Sequence, residues 1–146
     1  MNRMKTLEQG FIIVIGIVLL TASNAAQRPD WFPENRAEIE ANCLMENSID
    51  DETLTNIRQL KLDDTPQIRS LIMCSLINTN AYRPDREPEA DRLVVAFQQN
   101  LKRDCDIDMV ESCIDQYKHL QPDDYKYFTI IKCIFNEAPT KCTLIK

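Results

Sequence analysis

Apolar residues recur at intervals of three and four along six segments of the chain, and this spacing predicts amphipathic helices. Alternation typical of strands does not extend over more than a few residues. The only two glycines, Gly10 and Gly16, lie near the start of the chain. Because primed hairpin turns favour glycine, the remaining sequence argues against a β-rich fold. We therefore predict an all-α fold with about six helices, which cover residues 34–45, a segment that begins near residue 50, and residues 64–78, 89–101, 107–119 and 123–136.

The third predicted helix has the clearest start and the most apolar surface. Asp64-Thr65-Pro66 supplies a capping side chain and then a proline suited to the first turn. Apolar residues follow almost all round this helix, so we expect it to be the central and most buried one. At the other end of the chain, we expect Pro139 to end the sixth helix.

The first 25 residues have the pattern of a secretory signal peptide. Arg3 and Lys5 give a positive start, residues 11–20 form an apolar run, and small residues follow at 21–26. An apolar run of ten residues is shorter than the roughly 20 needed to span a bilayer, although a signal anchor remains the alternative. We expect cleavage after Ala25 and a secreted, extracellular domain formed by residues 26–146.

Charge and cysteine content narrow the possible partners. The formal net charge is −6 and becomes more negative once the leader is removed, which argues against nucleic acid and anionic membranes. Six cysteines in a secreted chain of this size indicate disulfides, with fifteen possible pairings. A zinc site would need ligands that the sequence lacks, since it has no C-x-x-C pair and a single histidine, His119. We predict no metal and no cofactor.

Catalytic motifs are equally scarce. His119 is the one side chain expected to titrate near neutral pH, and it falls at the end of a predicted helix, where a cation is favourable. The sequence has no nucleophile motif G-x-S-x-G and no phosphate-binding glycine loop. The paired carboxylates Asp50-Asp51 and Asp123-Asp124 begin helices, where they stabilise the helix dipole. We therefore expect a protein that is not an enzyme.

The spacing of four cysteines resembles that of insect odorant-binding proteins, the pheromone-binding and general odorant-binding family. This family has six cysteines, with three residues between the second and third and eight between the last two. Cys43, Cys74, Cys113 and Cys133 take the first, third, fourth and sixth positions with gaps in the family range. The segments DWFPENRAEIEANCLMEN and QIRSLIMCSLI are also similar to the family.

The two remaining family positions are occupied by Ser70 and Asp124. In the family the second and fifth cysteines pair with each other, so their joint loss resembles the subgroup called C-minus. The resemblance implies the pairs Cys43–Cys74 and Cys113–Cys133, which would tie the first helix to the third and the fifth helix to the sixth.

Cys105 and Cys142 have no counterpart in the family pattern. They flank the hairpin that the implied bridge between the fifth and sixth helices would close, one before it and one after it. We predict that they form a third bridge, Cys105–Cys142, that pins the C-terminal tail. Two free thiols or an intermolecular bridge are the alternatives.

The resemblance implies helices around an internal apolar cavity that reversibly binds a small hydrophobic ligand, such as an odorant, a pheromone or a lipid-like molecule. A membrane receptor is a second candidate partner, and we expect a monomer or weak dimer. The alternative is a secreted interaction factor, reproductive or of the haemolymph, that uses the same scaffold without such a ligand. Tyr117 and Tyr127 carry the hydroxyls best suited to orient a ligand, and the predicted cavity lining also includes Leu71, Ile72, Leu93, Phe97, Val110, Ile114, Phe128 and Ile131.

Overall fold

The structure, a computed structural model, describes residues 27–146, so the predicted leader lies outside the described residues. The all-α prediction is confirmed: six helices dominate these residues, and two strands of three residues accompany them. In chain order the elements are α1 (Arg36–Glu46), α2 (Asp51–Arg58), α3 (Pro66–Asn78), α4 (Ala90–Leu101), β1 (Arg103–Cys105), α5 (Ile107–Tyr117), α6 (Asp123–Lys141) and β2 (Cys142–Leu144).

Capping side chains begin three helices, α2, α3 and α5, and the cap of α3 is the one that the sequence predicts. Asp50 accepts a hydrogen bond from the backbone N–H of Thr53 at 2.7 Å, at the start of α2. Thr65 accepts one from the N–H of Ile68 at 3.2 Å, and Pro66 is the first residue of α3. Each bond satisfies a backbone donor that the first helical turn leaves without an intrahelical acceptor.

The most buried helix is α6, and the expectation that α3 would be the central one is wrong. Eight residues of α6 are buried, from Lys126 to Ala138, whereas α3 buries only Ile68 and Leu76. α6 packs against both α3 and α5, so two of its faces are covered. The apolar surface of α3 is partly exposed, with Ile77 51 % accessible.

Pro139 does not end α6, which continues to Lys141. Proline removes one i→i−4 hydrogen bond and crowds the carbonyl four residues before it, so the last turn of α6 needs contacts from elsewhere. The last turn is held from outside the helix: Ala138 is fully buried, and the carbonyl of Lys141 accepts a hydrogen bond from the N–H of Asp106 at 2.9 Å.

The two strands join the start of α5 to the end of the chain. β1 and β2 pair antiparallel, with Arg103 opposite Leu144 and Cys105 opposite Cys142. The N–H of Ile145 extends the pairing through a 2.8 Å bond to the carbonyl of Lys102. The sequence predicts only a turn and an apolar tail here, because three-residue strands are too short to show alternation.

Three disulfides join the six cysteines, in the pairs that the resemblance and the flanking-segment argument predict. Cys43–Cys74 joins α1 to α3 with a Cα–Cα distance of 5.7 Å. Cys113–Cys133 joins α5 to α6 at 5.8 Å, and Cys105–Cys142 joins β1 to β2 at 4.0 Å.

In the part of the chain that the structure describes, four residues other than glycine adopt the left-handed conformation. They are Ser48, Leu60, Asn80 and Lys102, with φ between 53° and 63°. Each follows a helix, at the point where glycine would ordinarily reverse the chain. Lys102 caps the C-terminus of α4 with φ 53° and ψ 42°, a conformation disfavoured by its Cβ.

Candidate functional site

A cavity of about 130 Å³ lies between α1, α2, α3, α4 and α6. Its lining is largely apolar. The apolar side chains come from all five helices and from the segment before α3: Ile39, Cys43, Leu44, Leu54, Ile57, Leu62, Ile68, Leu71, Ile72, Leu76, Ala96, Phe97, Leu101, Ile131 and Phe135.

The amphipathic sequences of α1 and α2 explain how this cavity is walled. Ile39, Cys43 and Leu44 share one face of α1, and the Cys43–Cys74 bridge holds that face towards α3. On α2, Leu54 and Ile57 lie three residues apart and face the same space. On the opposite side, the rings of Phe97 and Phe135 meet edge to face, with centroids 5.7 Å apart.

Three neutral polar side chains also line the cavity: Ser75, Thr79 and Asn100. The hydroxyl of Thr79 donates to the carbonyl of Ser75 at 2.7 Å. The amide of Asn100 donates to Oγ of Ser75 at 3.5 Å, a long contact that a better acceptor could replace. Ser75 and Asn100 are therefore the neutral groups best able to orient a polar atom inside this cavity.

Three charged side chains in the cavity lining, Arg36, Glu40 and Arg58, are accessible to solvent, and we call them the rim cluster. Arg36 Nη1 donates to Glu40 Oε2 at 2.9 Å, and Arg58 Nη2 donates to Glu40 Oε1 at 3.4 Å. The side chains of Arg36, Glu40 and Arg58 are 27 %, 32 % and 63 % exposed. The rim cluster therefore adds solvent-accessible charge to a lining that is otherwise largely apolar.

Four of the ten predicted ligand contacts meet at this cavity: Leu71, Ile72, Phe97 and Ile131. Leu71 and Ile72 are half-buried on α3, whereas Phe97 and Ile131 are buried on α4 and α6. The structure thus brings together predicted residues from three helices around one space.

The other six predicted contacts are not among the cavity lining. They belong to the packed interior or its edge, mostly where α4, α5 and α6 meet: Leu93, Val110, Ile114, Tyr117, Tyr127 and Phe128. Tyr127 is almost fully buried, and its ring meets that of Tyr82 with centroids 5.3 Å apart. Burial raises the pKa of the Tyr127 phenol well above its usual range.

Sequence reasoning omitted the whole wall formed by α1 and α2, which includes the rim cluster. The available signal was the implied bridge between the first and third helices. Because that bridge holds the apolar face of α1 towards α3, it also brings Ile39 and Leu44 towards Leu71. No comparable sequence signal identifies Arg36 and Arg58 as cavity residues, since surface arginines are common on amphipathic helices.

A second, more polar cavity of about 510 Å³ lies at the surface between the start of α3 and the start of α6. Ser70 and Asp124 both line it, together with Asp64 and Arg69. Arg69 is bound by both carboxylate oxygens of Asp64, at 2.6 and 2.8 Å. These hydrogen bonds hold the pKa of Asp64 below its usual value.

The remaining candidate chemistry is sparse. His119 is exposed and follows α5, away from the residues that line either cavity. Within residues 27–146, no group of three or more His, Cys, Asp or Glu side chains could hold a metal ion. No helix in that range is long and apolar enough to cross a lipid bilayer.

Within residues 27–146, six helices and three disulfides form a small all-α protein that contains an apolar cavity with the rim cluster in its lining. The model of the PBP/GOBP family matches residues 25–137, and the chain belongs to this family of insect pheromone-binding and odorant-binding proteins. The family consists of secreted carriers rather than enzymes. No curated protein and no solved structure matches the chain significantly.

Proposed function

We propose that this protein is a secreted carrier that reversibly binds a small hydrophobic molecule in the cavity between α1, α2, α3, α4 and α6. The observation that carries the proposal is the apolar lining of this cavity in a chain of the PBP/GOBP family. Fifteen apolar residues face the space, while three neutral polar ones interrupt them. Burial of apolar ligand surface supplies the affinity, at about 25 cal/mol per Å² before association costs.

The size of the cavity limits the ligand body. A cavity of about 130 Å³ is close to engineered apolar cavities of about 150 Å³ that bind benzene. The buried body of the ligand is therefore about six carbons unless α2 moves outward. Such movement is feasible because α2 buries no residue fully and no disulfide holds it. The fluorescent probe N-phenyl-1-naphthylamine is larger than a six-carbon body, so its binding requires this movement.

Ser75 and Asn100 orient the ligand in this proposal. Their mutual contact is long, so a ligand oxygen can accept from the amide of Asn100 at little cost. An alcohol, ester or ketone would meet this requirement. A pure hydrocarbon would leave the pair unchanged and would bind by burial alone.

Secretion completes the proposed function. The leader of residues 1–25 would be removed after Ala25, and N-terminal sequencing of the protein exported by a eukaryotic cell checks this. The mature chain would act as a monomer or weak dimer, with a membrane receptor as a candidate partner. Sedimentation at several protein concentrations tests the oligomeric state.

The direct test of the carrier function is binding of the fluorescent apolar probe N-phenyl-1-naphthylamine, followed by its displacement with 1-hexanol. We expect one saturable site per chain and complete displacement. Native mass spectrometry after mild purification should show a displaceable small molecule at one per chain. Absence of both signals would contradict a carrier and favour an interaction protein on the same scaffold.

A further inference from the structure

The rim cluster carries more positive than negative charge. Arg36 and Arg58 contribute two positive charges and Glu40 one negative, so the cluster has a formal charge of +1. No other charged side chain is among the residues that line this cavity. On a protein with a formal net charge of −6, this is a local reversal of sign in the solvent-accessible part of the cavity lining.

Both arginines retain hydrogen-bonding capacity beyond their contacts with Glu40. Each guanidinium carries five N–H donors, and each contacts Glu40 through one terminal nitrogen. The carboxylate of Glu40, in contrast, uses one oxygen for Arg36 and the other for Arg58. A second anion placed beside the cluster would therefore find donors from two side chains already held near each other.

The cavity and the rim cluster together specify an amphiphile. We propose that the preferred ligand class is a small monocarboxylate, with its apolar body in the cavity and its carboxylate paired with Arg36 and Arg58. This inference rests on the proposed carrier function and names the ligand class for the same cavity. An alcohol of equal length would bury the same body but would leave the two guanidinium groups without a new acceptor.

The expected preference is moderate because the rim is half-exposed. Solvent and salt weaken ion pairs at such positions, and Arg58 is the more exposed of the two arginines. We expect hexanoate to bind about three- to tenfold more tightly than 1-hexanol at neutral pH and low salt. Hexylamine should bind more weakly than the alcohol, since its ammonium would face a cluster of like net charge.

The experiment is displacement of N-phenyl-1-naphthylamine by hexanoate, 1-hexanol and hexylamine, each at pH 7 and at low and high salt. The test variant carries Arg36→Gln, Glu40→Gln and Arg58→Gln together, so that no unpaired protein carboxylate remains to repel the ligand. Arg86→Gln is the matched control, because Arg86 is exposed and does not line the cavity. Glu40→Gln alone frees both arginines and should strengthen hexanoate binding.

The expected result is a preference for hexanoate in the native chain and in Arg86→Gln, weaker at high salt and absent in the triple variant. The affinity for 1-hexanol should be equal in the native chain and in Arg86→Gln. In the triple variant the readout is the ratio of hexanoate to 1-hexanol affinity, in which the preference for hexanoate should vanish. If 1-hexanol displaces the probe but hexanoate does so no better, the ligand class is wrong and the carrier function stands. A hexanoate preference that survives in the triple variant would also overturn the inference. Failure of the native chain to bind either the probe or 1-hexanol, the latter measured by isothermal titration calorimetry, would instead refute the carrier function.

Discussion

Ser70 on α3 and Asp124 in the first turn of α6 line the same surface cavity, although 54 positions separate them in the sequence. They occupy the positions at which the resemblance places the second and fifth cysteines. α3 and α6 pack against each other at this point without a covalent link. Packing and the position of the Arg69 guanidinium over the rings of Tyr125 and Phe128 in α6 hold this end of the interface.

The first prediction is that the double substitution Ser70→Cys and Asp124→Cys forms a fourth disulfide. Closing a loop of this length reduces the entropy of the unfolded chain, so the free energy of unfolding should rise by about 2–4 kcal/mol. Denaturant unfolding of the variant and of the native chain, both fully oxidised, measures the gain. The pair Ser70→Ala and Asp124→Ala is the control and should show none. Alkylation of both new thiols under oxidising conditions would show that the helices lie too far apart there.

The second prediction concerns Ala96, a buried residue that lines the apolar cavity. Ala96→Leu should fill part of the 130 Å³ and lower the affinity for the apolar probe at least tenfold, an order-of-magnitude expectation from lost ligand space. Stability should stay equal or rise by about 1 kcal/mol, as in other cavity-filling changes. The control is Ala41→Leu, on the exposed face of α1. Unchanged affinity in Ala96→Leu would place the binding site elsewhere.

The third prediction is that Cys105→Ser with Cys142→Ser weakens the fold but spares the binding site. Loss of this bridge should lower the free energy of unfolding by about 2–4 kcal/mol. Amide exchange should accelerate at Ile145, whose N–H bonds to the carbonyl of Lys102. Probe affinity should change by less than about twofold, because neither β1 nor β2 lines the cavity. A large loss of probe affinity would instead show that the C-terminal strand β2 affects the apolar cavity.

The fourth prediction is acid sensitivity at Asp123. Hydrogen bonds from Tyr82 at 2.6 Å and from Lys126 at 3.0 Å hold its pKa below the ordinary 3.8. Because the folded pKa is depressed, this stabilisation is complete above about pH 4–5 and is lost as pH falls through the depressed pKa. The side chain is 40 % exposed, so the contribution is at most about 1 kcal/mol.

Urea unfolding at pH 7 and near pH 3 checks this expectation. Asp123→Asn should lower the free energy of unfolding at pH 7. It should also reduce the decrease of that free energy between pH 7 and pH 3. Tyr82→Phe should do the same in part, since Lys126 still contacts Asp123. Asp30→Asn, at an exposed carboxylate, is the control. If the free energy of unfolding of Asp123→Asn falls between pH 7 and pH 3 as much as that of the native chain, other carboxylates cause the acid sensitivity.

The fifth prediction exploits the left-handed conformation of Lys102. Lys102→Gly should raise the free energy of unfolding by about 0.5–1 kcal/mol, because glycine lacks the Cβ that disfavours this conformation. Lys102→Ala retains the Cβ and should give no gain. Thermal unfolding of the two variants and the native chain provides the comparison, and equal melting temperatures for glycine and alanine would refute the strain.

Local signals predicted the helices because helix formation depends on short-range chemistry. Thr65 and Pro66 mark the start of α3 within a few residues of sequence, and the structure uses both. The prediction that Pro139 ends the sixth helix was wrong for a related reason. Its cost is local, but the contacts that offset it, with Asp106 and through the Cys105–Cys142 bridge, come from far along the chain.

The division between cavity wall and solid core could not be predicted in the same way. Leu71 and Leu93 have the same side chain on similar apolar stripes, yet Leu71 lines the cavity and Leu93 is fully buried elsewhere. Which stripe meets a void depends on how five helices pack, a property of no single segment. The rim arginines are subject to the same limit, since only the approach of α2 to α1 brings Arg58 to Glu40.

The three disulfides fall into two groups along the polypeptide, and no disulfide joins one half of the chain to the other. One ring closes between Cys43 and Cys74, and the other two are nested, with Cys113–Cys133 inside Cys105–Cys142. The backbone between α3 and α4 is therefore the only covalent link between the halves. A single proteolytic cut in that loop would give two polypeptides that can separate without a reductant. The apolar cavity is lined by residues from both halves, so a ligand bound there would contact both and would strengthen their association.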